Sequence, residues 1–314
     1  MVGFYLICEK GDLEIKSLLL IKSLKKYLPS TTFEINVLIP CDQVPLLKTT
    51  IEYFEKLGCR IKIFSNELYH IGHKSVIPGD KVSNKIYFLD DKEQKYNRLV
   101  FLDSDIMLIK PFNPSNLYID KQFSAKQANR ANVKRWEEIY SALGIPYPQE
   151  LFACGLDGVM IPPYFNSGFI SINPTFREEL FNVWKDIFLS ISTPVFLGEG
   201  LFHPFNRDQV SLALAINKLG VEYDILPEIY NYSLKSKTPI EEAVFIHYHD
   251  PTEIWAVNKL QNLFWEIYNE CDYLKKLVRR SWTWSWVFKS KGTRFFFTNP
   301  FFKRITDKVK RVLR

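Results

Sequence analysis

The sequence predicts an α/β domain with a mainly parallel central sheet, followed by a basic, aromatic C-terminal helical tail. Three observations lead there. The first half alternates short apolar runs with helix-period stretches, the rhythm of βαβ units. Two aspartates, Asp103 and Asp105, stand at the end of the fourth such run, where sheets of this kind bind ligands. Charge is also unevenly spread. From Cys271 onward there are 13 lysines and arginines against Asp272 and Asp307, a net of +11. The whole chain carries +6, so the rest carries 6 − 11 = −5. This predicts a body over residues 1–270 and an extension over 271–314 with a separate task.

Phe4 to Cys8 reads as the first strand. Asp12 is placed to cap the next helix, which ends at Pro29. A second strand runs from Ile35 to Ile39, a second helix from Pro45 to Leu57, and a third strand from Arg60 to Phe64. A loop with His70, His73, Pro78 and Gly79 follows, then a helix from Ser83 and the fourth strand, Arg98 to Leu102. Beyond it, strands are expected at Phe123–Gln127, across PPYFNSGFISINP (162–174), at Val221–Leu226 and at Ala243–His249. Helices are expected at Val133–Leu143, Pro174–Ser190 and Arg207–Leu219. The five scattered cysteines form no CxxC pair and read as reduced, mostly core residues, which implies a cytosolic setting. The first residues read as a strand and not as a leader, and no apolar stretch is long enough to span a bilayer.

The segment LVFLDSDIMLIKPF (99–112) carries the most chemistry. Alternate residues of an extended chain point to one side. Asp103 and Asp105, flanking Ser104, would then face one spot, and the repulsion between them would be relieved by a divalent cation with a taste for hard oxygen ligands, Mn²⁺ or Mg²⁺. A strand-end turn without function is the plainer reading of a bare DxD. Four further segments weigh against it. In YFNSGFISIN (164–173), Asn166, Ser167 and Gly168 interrupt a buried strand; Gly168 permits close backbone approach, and the other two offer hydrogen bonds. Asp208 and Gln209 open an amphipathic helix and supply a carboxylate and an amide suited to a sugar. His247 and His249 end a strand two residues apart, a spacing that can put one imidazole on a metal held by the aspartates. Lys85 lies before the fourth strand and can meet a phosphate.

In this order the motifs resemble a GT-A glycosyltransferase, specifically the glycogenin-like and lipopolysaccharide-galactosyltransferase-like family, glycosyltransferase family 8, over roughly residues 1–260. The resemblance implies a Rossmann-like nucleotide-diphospho-sugar transferase fold and transfer of a hexose with retention at the anomeric carbon. It implies metal ligation by Asp103, Asp105 and His247. It implies donor contacts from Lys85, Ser104, Asn166, Ser167 and Gly168; Cys8 and Glu9, at the end of the first strand, are placed with them, although the family's usual entry residues for the base are absent there. It implies that Asp208 and Gln209 bracket the anomeric carbon, with Asn166 beside them. The HFxGxxKPW motif of the family is matched by His247, Tyr248 and Trp255, but Asp250 and Glu253 stand in place of its glycine and lysine. Lys259 and Lys81 are the cations considered as substitutes for that lysine.

In the tail, Asn299 and Pro300 can start a helix in which Phe301, Phe302, Ile305, Val309 and Val312 recur at helical spacing among lysines and arginines. With Trp282, Trp284 and Trp286, residues 279–314 suit an anionic membrane surface. Packing on the body is the structural alternative, and nucleic-acid binding the least favoured. The expected partners are a nucleotide-diphosphate sugar and a glycan, glycolipid or protein acceptor. Two other functions compete: a nucleotidyltransferase, disfavoured by the single glycine of CEKGDLEIK, and a non-catalytic membrane- or RNA-binding protein acting through its tail.

Overall fold

The computed structural model describes residues 1–68, 81–92, 95–117, 121–128, 133, 135–154, 158–193, 196–197, 200–236 and 238–288. The loop with His70, His73, Pro78 and Gly79, and the tail helix expected from Asn299, lie outside the described residues. Strands are β1 (Val2–Ile7), β2 (Phe33–Pro40), β3 (Arg60–Phe64), β4 (Arg98–Leu102), β5 (Ile106–Leu108), β6 (Phe123–Gln127), β7 (Phe152–Ala153), β8 (Met160–Ile161), β9 (Phe165–Ile172), β10 (Tyr223–Ile225), β11 (Tyr232–Ser233) and β12 (Phe245–His247). Helices are α1 (Asp12–Tyr27), α2 (Val44–Lys56), α3 (Trp136–Ala142), α4 (Arg177–Ile191), α5 (Arg207–Lys218), α6 (Pro251–Ile254), α7 (Asn258–Glu270), α8 (Asp272–Arg280) and α9 (Trp282–Phe288). A 3-10 helix occupies Lys81–Asp90.

The main sheet has the order β10-β6-β9-β4-β1-β2-β3. β1 runs parallel to β2 and β4, and β2 to β3. The inner strands are buried along their length, as strands covered on both faces must be. β9 is antiparallel to both β4 and β6, so the sheet is mixed on one side of β4. On one face lies an apolar layer with Leu18, Leu24, Phe54, Phe264 and Leu277; on the other, a layer with Phe88, Tyr164, Trp184, Val210 and Leu214. A smaller sheet, β11-β12-β5, joins the edge of the first layer.

Several local expectations change. Asp12 is the first helical residue and Gly11, at φ 96°, is the cap; the Gly11 N–H donates to the Glu14 carboxylate at 3.1 Å. The Asp12 carboxylate instead accepts from Ser281 Oγ at 3.0 Å. α3 begins only at Trp136. The strand expected over Ala243–His249 shortens to β12 and leaves the main sheet, because β5, a strand unforeseen in the IML run, captures it.

The expected extension does not begin as a free appendage. Cys271, Leu274, Leu277, Val278 and Trp284 belong to the first apolar layer. Tyr273 stacks on Tyr53 of α2, ring centroids 4.6 Å apart. Packing therefore continues through residue 271 and on to α9. Trp284, expected in a lipid headgroup layer, is fully buried beside Phe264, whereas Trp282 is 74% exposed. All five cysteines are free thiols, and Cys41 alone among them is exposed.

Replacement of Trp284 by Ala empties a core site and is expected to cost about 3–5 kcal/mol in chemical denaturation. Trp282→Ala is expected to fall within about 0.5 kcal/mol of wild type. Equal effects of the two substitutions would show that α9 does not pack on the body.

Candidate active site

Asp103 and Asp105 occupy a tight turn between β4 and β5, not an extended strand. The Ile106 N–H donates back to the Asp103 carbonyl at 3.1 Å, closing that turn. Ser104 fastens the turn to β1 by donating its hydroxyl to the Ile7 carbonyl. The Asp103 N–H donates to the Gly168 carbonyl at 2.8 Å, which ties the turn to β9. β5 then pairs antiparallel with β12, so that His247 lies opposite Ile106. This register brings a histidine some 140 residues distant onto the aspartates.

The two carboxylates share His247 and divide two lysines. His247 Nε2 is 2.9 Å from Asp105 Oδ1 and 3.9 Å from Asp103 Oδ2. Lys85 Nζ is 3.1 Å from Asp103 Oδ1. Lys16 Nζ, from α1, is 3.0 Å from Asp105 Oδ2. Burial raises the pKa of the Asp103 carboxyl; Lys85 counters this and Asp105 adds to it. Burial acts on Asp105 in the same direction, but His247 and Lys16 outweigh it and hold that carboxyl well below the usual range.

A third carboxylate lies next to the pair. Asp208, near the start of α5 and 2% exposed, accepts from Lys85 at 2.8 Å and from Ser167 Oγ at 2.5 Å, both on Oδ2. Its other oxygen, Oδ1, is buried without a hydrogen-bond partner. Lys85 thus joins Asp103, Ser167 and Asp208, and these acids keep it charged in spite of its burial. Asn166 Oδ1 accepts from the Gly168 N–H at 2.9 Å and from Asn231 Nδ2 at 2.8 Å. Asn231 Oδ1 in turn lies 3.1 Å from His247 Nδ1, which orients the ring. Gly168 explains the small residue in this bend. A Cβ there would come within 2.9 Å of Asp103 Oδ2 and of His247 Cε1.

The residues fit a divalent ion. Asp105, His247 and His249 each offer a ligand atom within 4.8 Å of one another. One carboxylate oxygen and two imidazole nitrogens suit Mn²⁺. This trio differs from the expected one. His249 joins it, with its ring 3.9 Å from that of His247 and its backbone in the left-handed region at φ 37°. Asp103 stands at the margin of this trio, with its Oδ2 3.9 Å from His247 Nε2.

Residues 4–220 match the family model of the Rhodobacterales glycosyltransferase domain. The chain belongs to that glycosyltransferase family. It is therefore a transferase enzyme, and the match spans the aspartate pair, the Asn166–Gly168 bend and Asp208–Gln209 but ends before His247. No curated protein matches the chain. Among solved structures it is similar to the galactosyltransferase LgtC in complex with donor and acceptor sugar analogues, at 13% identity and a TM-score of 0.55 over 86% of this chain and 96% of that one. It is also similar to the glycosyltransferase GlyE of Streptococcus pneumoniae TIGR4, at 16% identity and a TM-score of 0.52 over 88% of this chain and 63% of that one. These likenesses confirm the GT-A fold.

Within this glycosyltransferase, several expected donor contacts have other employment. Ser104 and Ser167 are buried and use their hydroxyls internally. Cys8 is fully buried, and burial pushes its thiol pKa up, so its side chain is core. Glu9, 2% exposed, lines a cavity of about 90 Å³ with Asp42, Gln43, Asn66, Lys81 and Asn84. Asn84 donates to it at 2.7 Å and Lys81 pairs with it, which commits Lys81. Lys259 lies near Lys110, not beside the acids. Gln209 is half-buried, and no described hydrogen bond engages its amide. Asp250, in place of a glycine, caps α6 by accepting from Thr252 N–H at 2.8 Å. Lys16, His249 and Asn231 are the residues that sequence reasoning passed over. Only His249 left a trace, in the His-x-His spacing.

Two substitutions test the network. Lys85→Met strands the buried Asp208 carboxylate and is expected to cost about 3–5 kcal/mol in denaturant unfolding. Gly168→Ala is expected to cost about 1–3 kcal/mol and to weaken Mn²⁺ binding in calorimetric titration. Full Mn²⁺ affinity in Gly168→Ala would show that the bend does not hold the aspartates and His247 together.

Proposed function

We propose that the protein transfers a hexose from a nucleotide-diphosphate sugar to a glycan or glycolipid acceptor, with Mn²⁺ or Mg²⁺ bound and with retention at the anomeric carbon. One observation carries this reading: aspartates, histidines and a lysine-bound third acid converge where β4 and β12 end and β9 begins. The complex of LgtC with donor and acceptor sugar analogues supports the choice of substrates. Retention rests on the resemblance to family 8.

Asp105, His247 and His249 would hold the cation, with Asp103 beside them, and the ion would supply positive charge to the departing diphosphate. Lys85, fixed between Asp103 and Asp208, sets the distance between the diphosphate and the sugar. The bond from the anomeric carbon to the diphosphate oxygen breaks, and its electron pair leaves with the diphosphate. The acceptor oxygen forms the new bond and gives up its proton to the departing diphosphate oxygen. Asp208 Oδ1 is the acid oxygen left open to a hydroxyl at that point. Asn166 has its Oδ1 occupied, so its amide hydrogens face the sugar's oxygens in this scheme. Glu9, Asn84 and Asn66 line the cavity proposed for the base. A buried carboxylate just after β1 is a poor neighbour for a triphosphate, which disfavours nucleotidyl transfer.

The division of labour between residues 1–270 and 271–314 is retained as a proposal in altered form, with membrane contact assigned to residues 279–314. Among the described residues no helix is long and apolar enough to cross a membrane. Arg279, Arg280 and the exposed Trp282 support contact with anionic lipid from the surface.

The decisive measurement is sugar-nucleotide hydrolysis or transfer across a panel of donors with Mn²⁺. Asp105→Asn is expected to lower kcat/KM at least about 10²-fold, through loss of a carboxylate that would hold the cation. Wild-type turnover that survives chelation, together with an unimpaired Asp105→Asn, would sink the metal-dependent reading. For the tail, removal of residues 289–314 is expected to reduce flotation with phosphatidylserine vesicles at low salt. Unchanged flotation would remove the membrane assignment from that segment.

A further inference from the structure

Among the described residues, Lys16 is a charged group beside the aspartates that the proposed reaction leaves without a task. It lies on α1, far in sequence from Asp105 and His249. Its side chain is 12% exposed. Its ammonium donates to Asp105 Oδ2 at 3.0 Å and to the His249 carbonyl at 2.6 Å, and lies 5.9 Å from the centre of the Tyr248 ring. All three contacts fall on the residues that would hold a cation or on the chain between them. Asp105 has its two oxygens divided between Lys16 and His247. An ion approaching Asp105 therefore meets an ammonium already seated on the same carboxylate.

The charge count gives this a consequence. Asp103, Asp105 and Asp208 bring three negative charges, and Lys16 and Lys85 return two. With imidazoles neutral, the site carries −1. A divalent ion alone takes it to +1, with two cations crowded on Asp105. Charges so close in a partly buried site interact strongly. An anion that bridges the ammonium and the ion relieves the excess. Without Lys16 the site would carry −2, and the ion alone would balance it.

Resting on the proposed function, we propose that Lys16 is a donor-binding residue that couples metal binding to diphosphate binding. It keeps the free ion weakly held and takes an oxygen of the diphosphate when both are present. The coupling is reciprocal: the nucleotide raises metal affinity by the factor by which metal raises nucleotide affinity.

The test is calorimetric or electron-spin-resonance titration of Mn²⁺ into the full chain, alone and with saturating nucleoside diphosphates of each common base. The wild type is expected to bind Mn²⁺ weakly alone and about tenfold or more tightly with the favoured diphosphate. In Lys16→Met, affinity for Mn²⁺ alone is expected to rise about tenfold and the gain from nucleotide to shrink by a similar factor. Lys16→Arg, which keeps the charge, is expected to retain the coupling. A merely structural lysine would weaken both affinities together. Mn²⁺ affinity in Lys16→Met that is unchanged or lower, with the gain retained, overturns the role of Lys16 and leaves the proposed function standing. Wild-type Mn²⁺ affinity that is indifferent to nucleotide overturns it as well, without need of any variant. Absence of both Mn²⁺ and nucleotide binding in the wild type overturns the proposed function and this inference with it.

Discussion

Three carboxylates meet where the central strands end, and their mutual repulsion is the constraint around which this region is organised. Two unit charges 4 Å apart interact by about 4 kcal/mol at the effective dielectric of a protein surface. Asp103, Asp105 and Asp208 are each partly or wholly enclosed, so water relieves little of this. Relief comes from two ammonium groups and an imidazole delivered by three different elements. α1 brings Lys16, the 3-10 helix before β4 brings Lys85, and β12 brings His247. Each must arrive at the correct height along the sheet. The site is therefore a statement about register as much as about residue type.

The two sheets divide that work. The main sheet fixes Asp103 against Gly168 through the β4–β9 pairing and the hydrogen bond beyond it. The small sheet fixes His247 against Asp105 through β5 and β12, and the Tyr248 N–H donates to the Asp105 carbonyl at 3.0 Å. Gly168 lies where the two meet and has no room for a side chain. Asn166 and Asn231 bridge the same seam with amides, satisfying backbone and imidazole groups that would otherwise be buried without partners. The remainder of the fold, two apolar layers on either side of the sheet, supplies the rigidity that such a seam needs.

The C-terminal segment shows how composition misleads about position. Its tryptophans and basic residues share one interfacial signature, yet α8 and α9 bury part of that signature in the body. Tyr273 stacks on α2, Ser281 meets Asp12, and Trp284 enters the core. Trp282, two residues before Trp284, projects outward. On a helix a two-residue step turns the side chain to another face, so neighbouring aromatics of one composition serve opposite surroundings.

The sequence alone was enough for the fold class, for the positions of β3, β4 and β6 and for the residue types gathered at the site. Those features are local: apolar runs bounded by turn residues, an acid pair at a strand end, an Asn-Ser-Gly break in a strand. What only the tertiary structure decided was which groups touch. The capture of β12 by β5, the approach of Lys16 to Asp105 and the inward use of the Ser104 and Ser167 hydroxyls all depend on pairings between distant segments. Local periodicity carries no record of such pairings, because strand register and helix rotation are set by how whole layers pack. So the aspartates, Lys85 and His247 could be found by reading along the chain, while Lys16 and the contacts among them could be found only by seeing it folded.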